Sequence, residues 1–475
     1  MELEESTSPS LEFEREPVPD KAQLGFKHFI GMYAGEHCAG TEFMLGPLFV
    51  AAGVSAFDFI FGLLLGNALA VLSWVFVTSP IATRARLTLY YQLEQICGKK
   101  LVTLYNLANG VMFCFLAGAM ITVSATAVGV WVEFPMPGLT DIYPNSIGWV
   151  IAVLIVGSLI AVVAAYGYRM VAKFANIAAP WMVLVFIALG FIGLKQFIDT
   201  TGVTITSVGD LWDLATNHIW RGGEPLPGQV KFTFWHVTFF AWFTNLAMHL
   251  GMADLSVFRF ARKTWHGIAS AAGMYVGHFM AWISVSILYA LQLHQTPGNT
   301  DVLPGPMAFK AAGLAGLLCV IIAGWTTANP TIYRAGLAFQ AIVPKWPRFR
   351  VTLATGLLAT IAGLFPAVAM QLLDFVALYG MLLMPMGAVI FADFWLSEKV
   401  GLQPEFARKT GISLNWAAGI TWLLTLLLCV VLIRFAGIQI YFVSLPGWIF
   451  ALFAFLGLSW WMQKNYSRKM ILNKS

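Results

Sequence analysis

The chain reads as an all-α polytopic membrane protein with twelve transmembrane helices, on three observations. Charges are sparse, long apolar runs recur along the whole length, and basic residues alternate from side to side. Apolar residues make up 59% of 475 positions and charged residues 11%, against about 25% charged in an ordinary soluble domain. Residues 101–132, 267–293 and 311–333 contain no Asp, Glu, Lys or Arg. A bilayer is crossed by about 20 apolar residues at roughly 1.5 Å each, so each run spans with room for tilt.

Taken in order, spans are predicted near 25–53, 56–79, 101–131, 146–166, 174–195, 231–257, 266–293, 307–333, 350–366, 371–393, 413–434 and 441–463. The ninth and tenth share one run, interrupted by Phe365-Pro366 and Asp374, and are the hardest to separate. With the N-terminus inside, most basic residues fall in the inner connections, from Arg84 and Arg86 through Arg259, Arg334 and Arg348 to the C-terminal tail. Of the 28, only Lys195, Arg221, Lys231, Lys310 and Arg434 fall on the outer connections or the span ends beside them. A missing span would scramble that alternation, so both termini are expected on the cytoplasmic side of a cell membrane. The net charge of +5 is then a topology signal, and no nucleic-acid motif stands behind it.

Residues 1–22 are acidic and contain Pro and Ser, and are expected to form a disordered cytoplasmic tail. No basic segment or cleavage site precedes the first span, so no signal peptide is expected. Cys38, Cys97, Cys114, Cys319 and Cys429 lie in spans or on the cytoplasmic side, where disulfides are not expected.

Three spans break the rules of a simple anchor. The first reads Gly35-Glu36-His37-Cys38-Ala39-Gly40-Thr41-Glu42 around its midpoint. A charge at mid-bilayer costs about 2.5–3.5 kcal/mol on insertion scales. Two carboxylates and an imidazole between glycines therefore point to unwound backbone facing a cavity, or to a carboxylate paired with a neighbouring helix. The sixth reads Trp242-Phe243-Thr244-Asn245-Leu246-Ala247-Met248-His249-Leu250-Gly251-Met252-Ala253-Asp254. Matching polar interruptions in two five-helix halves are the mark of an inverted-repeat transporter, whose broken helices hold substrate and ion at the midplane. His249 alone reads first as an ordinary packed histidine, and Asp254, nearer the cytoplasmic end, as a paired or solvated carboxylate. In the eighth span, Trp325-Thr326-Thr327-Ala328-Asn329-Pro330-Thr331, the threonine hydroxyls can serve a hard cation or simply bond back to helix carbonyls. Pro330 frees a carbonyl one turn earlier.

The stretch from Trp325 through Arg334 to Phe339 resembles the eighth helix of cytosine permease and the nucleobase–cation symporter family. Pro385-Met386-Gly387-Ala388-Val389-Ile390-Phe391-Ala392-Asp393 resembles the family's tenth helix, Ala253-Asp254 with Arg259-Phe260 the end of its sixth, and Asn415-Trp416 the start of its eleventh. The resemblance implies a five-plus-five inverted-repeat core of the leucine-transporter type over 23–400, with two further helices and a tail over 401–475. It implies cation-coupled uptake of a nucleobase or related small heterocycle, with no enzyme activity and no cofactor beyond a sodium ion or proton. Sodium would lie between Thr326 and Thr327 and backbone carbonyls near Gly35 and Cys38. Substrate would meet Glu36, His37, Glu42, Phe113, Phe243, Asn245, Asn329 and Thr331.

The chain also departs from the family. Its third helix has Phe113 and Phe115 where relatives carry a stacking Trp, and Pro330, Thr331 and Arg334 stand at commonly polar or small positions. Glu36 and Glu42 are unusual and put cytosine itself in question. Glu36 is the expected carrier if a proton replaces sodium. A substrate-sensing receptor on the same fold is the rival reading. A metalloenzyme built on Glu36, His37, Cys38 and His249 is a third, without a supporting ligand spacing.

Overall fold

In the computed structural model, residues 12–138, 141–370 and 372–472 are described, and among them there is no β-strand. Twelve helical segments follow the predicted spans. They are α1a (Lys27–His37) with α1b (Glu42–Ala51), α2 (Ala56–Ala85), α3 (Lys99–Val132), α4 (Ile147–Ala165) and α5 (Tyr168–Thr201). The second half begins with α6, in three pieces: α6a (Phe234–Phe243), α6b (Leu246–His249) and α6c (Leu255–Phe258). It continues with α7 (Thr264–Gln295), α8 (Pro304–Ile342), α9 (Arg348–Gly363) and α10 (Leu372–Trp395). Then come α11 (Trp416–Arg434) and α12 (Ile440–Leu472).

Among the described residues, nine of these are long and apolar enough to cross a bilayer, α8 with a kink at Ala312 and Gly313. The remaining three are the interrupted α1 and α6 and the 16-residue α9. The chain is a multi-pass membrane protein with a leucine-transporter-type core. The ninth and tenth spans are separate helices, with a short helix at Ala367–Met370 between them.

The third and fourth helices of the first half pair with their counterparts in the second. α3 runs against α8, and α4 against α9; α1a lies on α5, and α1b on α7. Helices α11 and α12 pack together, and α12 closes on α10. Burial alone does not build this core, because lipid is as apolar as leucine; close backbone approach does. A Cβ on Gly40, in the α1 break, would sit 2.6 Å from Val123 of α3 and 3.3 Å from the Val320 carbonyl of α8. Glycine is therefore required where α1 threads between those helices.

The expected disorder of the N-terminal tail does not hold for residues 12–22; residues 1–11 lie outside the described residues. Val18 is buried, Asp20–Ala22 form a helical turn, and the Val18 amide donates to the Arg86 carbonyl at 3.1 Å. Glu12 accepts the Tyr168 amide at 2.6 Å and lies 3.8 Å from Arg348; Glu14 lies 3.4 Å from the same guanidinium. Burial pushes the Glu14 carboxyl above its ordinary range. Arg259 donates to the Phe13 carbonyl at 2.8 Å. The tail's acids are thus partners for arginines at the helix ends, which composition alone could not show.

Candidate functional site

The α1 break begins at Cys38 (φ −91°, ψ 56°), so the carbonyls one turn earlier lose their helical donors. Helix α8 approaches there. The Thr326 hydroxyl lies 2.8 Å from the Gly35 carbonyl, and the Thr327 hydroxyl 3.1 Å from that of Glu36. Both hydroxyls are also within reach of the Ala323 carbonyl, at 3.1 and 2.9 Å. Three carbonyl and two hydroxyl oxygens therefore converge, an oxygen-only donor set that suits a hard monovalent cation. Of the four expected ion ligands, Gly35, Thr326 and Thr327 come together. Neither threonine hydroxyl bonds the expected backbone carbonyl of Cys38, whose thiol points to the Val276 carbonyl of α7 at 3.5 Å. Glu36 and Ala323 supply the carbonyls that sequence reasoning missed.

A cavity lies beside this point, bounded by both breaks. Helix α1 contributes Glu36, His37, Thr41 and Glu42; α6 contributes Thr244, Asn245 and Met248. The opposite wall is Leu116 and Met120 of α3 with Thr327 and Thr331 of α8, and His278 and Tyr379 complete it. A second, smaller cavity, lined by Phe240, Phe243 and Tyr441 among others, shares Thr244 and Val376 with the first.

Five of the eight expected substrate residues line the main cavity: Glu36, His37, Glu42, Asn245 and Thr331. Three do not. Phe113 packs behind Tyr379, ring centroids 4.6 Å apart, because α3 turns that position toward α10. Phe243 stacks on Trp242 at 4.5 Å and borders the second cavity instead. Asn329 faces α4: its amide, assigned from its neighbours, donates to the Ile160 carbonyl at 3.0 Å and accepts from Trp325 at 3.2 Å. His278 and Tyr379 were missed, since a lone His or Tyr in an apolar span carries no pattern.

The carboxylate of Glu36 is not free. Arg334 of α8 grips it through two hydrogen bonds, 2.6 and 3.2 Å, and reaches Asp254 at the end of the α6 break at 2.7 Å. The other Asp254 oxygen accepts Tyr33 at 2.5 Å and Trp74 at 2.7 Å. All three charged side chains are buried. Such a group holds together only because each charge is paired and hydrogen-bonded. It ties α1, α6 and α8 together below the cavity.

Its geometry depends on helix irregularities. Trp74 sits in a π-helical turn of α2, Trp74–Thr78, whose Thr78 hydroxyl bonds the His249 carbonyl. Met252, in the α6 break, takes a left-handed φ of 61° that costs a side-chain-bearing residue energy. His249 itself is buried, bonded to the Trp242 carbonyl at 2.9 Å and set against Trp74, away from the cavity.

Glu42 has different company. Trp282 of α7 donates its indole N–H to one oxygen, and His278 Nε2 lies 3.8 Å from the other. The His278 ring meets His37 edge-on at 4.7 Å. His278 belongs to a π-helical segment of α7, Ala272–Phe279, where Gly273 and Gly277 admit His37.

No family model matches the chain, and no curated protein matches it by sequence. Solved structures do. Mhp1, a nucleobase-cation-symport-1 family transporter seen closed with bromovinylhydantoin bound, superposes with a TM-score of 0.70. The match covers 96% of this chain and 97% of that one, at 15% identity. The fold is that of Mhp1. Inward-facing Mhp1 matches at 0.64 over 97% of this chain and 95% of its own, at 14% identity. A Na⁺-coupled sialic acid symporter, substrate-bound and outward-open, also matches at 0.64, over 91% and 89% at 14% identity. These proteins are transporters rather than enzymes, and two conformations of the Mhp1 fold align with this chain from end to end. Among the described residues no cluster of His, Cys, Asp and Glu is arranged to hold a metal. The oxygen site between α1 and α8 is of another kind.

Proposed function

We propose that the chain is a secondary active transporter that couples uptake of a small, nucleobase-related heterocycle to a cation by alternating access, with both termini cytoplasmic. The observation that carries this reading is the convergence of Thr326 and Thr327 on the carbonyls freed by the α1 break, against the wall of the central cavity. A cation bound there would hold α1 to α8 and favour whichever state has that site assembled; it shifts the equilibrium only by its differential affinity. Substrate bound beside it would strengthen cation binding, and the reverse, by the same factor. The Arg334 group would close the cavity on the side of the N-terminus and must part for release there.

Sodium is the cation this site favours, because it offers neutral oxygens and no carboxylate side chain. Glu36, the expected proton carrier, is already committed to Arg334. Proteoliposome uptake of hydantoin and nucleobases, driven in turn by a sodium and a proton gradient, tests the reading. Accumulation against a gradient with sodium is expected. Saturable binding without accumulation would identify a receptor instead.

A further inference from the structure

The charges around the cavity do not balance. Glu36 and Asp254 share the single cation Arg334, which leaves one negative charge among the described side chains of that group. Glu42, 1% exposed, faces an indole and an imidazole, and among the described residues no arginine or lysine lies within ion-pair distance. With neutral imidazoles and all three carboxylates ionised, the charge of these described side chains would be −2. One monovalent cation at the α1–α8 oxygen site offsets half of it. Uncompensated charge inside a bilayer is costly, so the remaining half calls for a positive partner.

Two buried groups mark where that partner would sit. His37 is 3% exposed, and its Nδ1 lies 2.7 Å from the Tyr33 carbonyl, to which it donates. Its Nε2 is then a hydrogen-bond acceptor in the neutral ring, and among the described residues it has no partner. His278 is 4% exposed, and its Nδ1 is likewise without one. Both rings line the cavity beside Glu42. The cavity also has an aliphatic stretch, Leu116 and Met120, beside Thr327, Thr331 and the Tyr379 ring.

We propose that the cavity takes a small organic cation whose charged N–H group, an ammonium or amidinium, sits against the Glu42 carboxylate with His37 Nε2 as a second acceptor. This rests on the central cavity being the substrate site of a transporter, and it narrows the substrate to a cationic class. A carboxylate in a low-dielectric chamber discriminates strongly between a cation and its neutral isostere. The aliphatic stretch would receive the apolar body of the solute.

The test uses pairs of matched shape on the purified full chain in sodium: benzamidinium against benzamide, and cyclohexylammonium against cyclohexanol. Equilibrium binding should favour the cation by at least about tenfold in the wild type, and Glu42→Gln should remove the preference while Glu42→Asp keeps part of it. Equal binding, preference for the neutral member, or no binding by either pair overturns the proposal; a proton on Glu42 would produce the first of these. The wild-type comparison stands even if a variant fails to fold. Gradient-driven accumulation is measured separately. Sodium-driven uptake of a neutral heterocycle without cation preference would leave the transporter reading intact and remove this one. Cation-selective binding without accumulation would do the opposite.

Discussion

Glu36 and Glu42 come from one interrupted helix, six positions apart, yet the protein treats them differently. Glu36 closes a circuit with Arg334 and Asp254, and every oxygen of the two carboxylates has a donor. Among the described residues Glu42 meets Trp282, the Ala39 backbone and His278 at 3.8 Å, and no arginine or lysine. The difference follows from what each end of the α1 break faces. The α1a end looks toward α8 and the α6 break, where Arg334 emerges. The α1b start looks toward α7, where His278 near the end of the π-helical part and Trp282 just beyond it bring rings. A fully paired carboxylate is a fastener, and a carboxylate with an incomplete shell is left for something else to bind.

The largest effect should come from breaking the fastener. Arg334→Met strands Glu36 and Asp254 without a cation, and loss of one partner of a buried ion group costs about 3–5 kcal/mol. Thermal unfolding in detergent should show a destabilised protein, largely restored by adding Glu36→Gln and Asp254→Asn. Full stability in the single variant would mean the group is not a fastener. Next, Gly40→Ala puts a methyl 2.6 Å from Val123, an overpacking expected to cost about 1–3 kcal/mol. The same unfolding measurement checks it, and Val123→Ala in the same chain should relieve it.

A third variant separates ion from fold. Thr327→Val removes one hydroxyl oxygen at the α1 break at nearly constant volume. Sodium affinity, measured through sodium-dependent thermal stabilisation, should fall by about tenfold, equivalent to about 1.4 kcal/mol. The smallest effect belongs to the N-terminal strap. Glu12→Gln weakens its hold on Arg348 and the Tyr168 amide, a loss of about 1 kcal/mol. Limited proteolysis within residues 12–22 should then speed up while the transmembrane core remains intact.

The sites of breakage were legible in the sequence because charges and glycines stand out in apolar runs, and both α1 and α6 break where they cluster. Thr326 and Thr327 were legible as hydroxyls beside Pro330. Their carbonyl partners were not, since Ala323 and the backbone of Glu36 leave no side-chain signal. Arg259, Arg334 and Arg348 read as topology charges at helix ends, yet all three are buried in polar contacts. Positive-inside counting cannot tell a solvated arginine from one folded back into the protein. Phe113 and Phe243 looked like stacking rings, but aromatic side chains fill cores as readily as they line sites, and the turn of the helix decided between the two.

The sequence by itself determined the number of spans, the interrupted helices and the presence of intramembrane acids, because hydropathy and charge act on each segment separately. Only the tertiary structure decided which acid is neutralised. Arg334, Glu36 and Asp254 lie up to 298 positions apart, so their pairing depends on how α1, α6 and α8 cross. The same crossing leaves Glu42 among rings that carry no fixed positive charge.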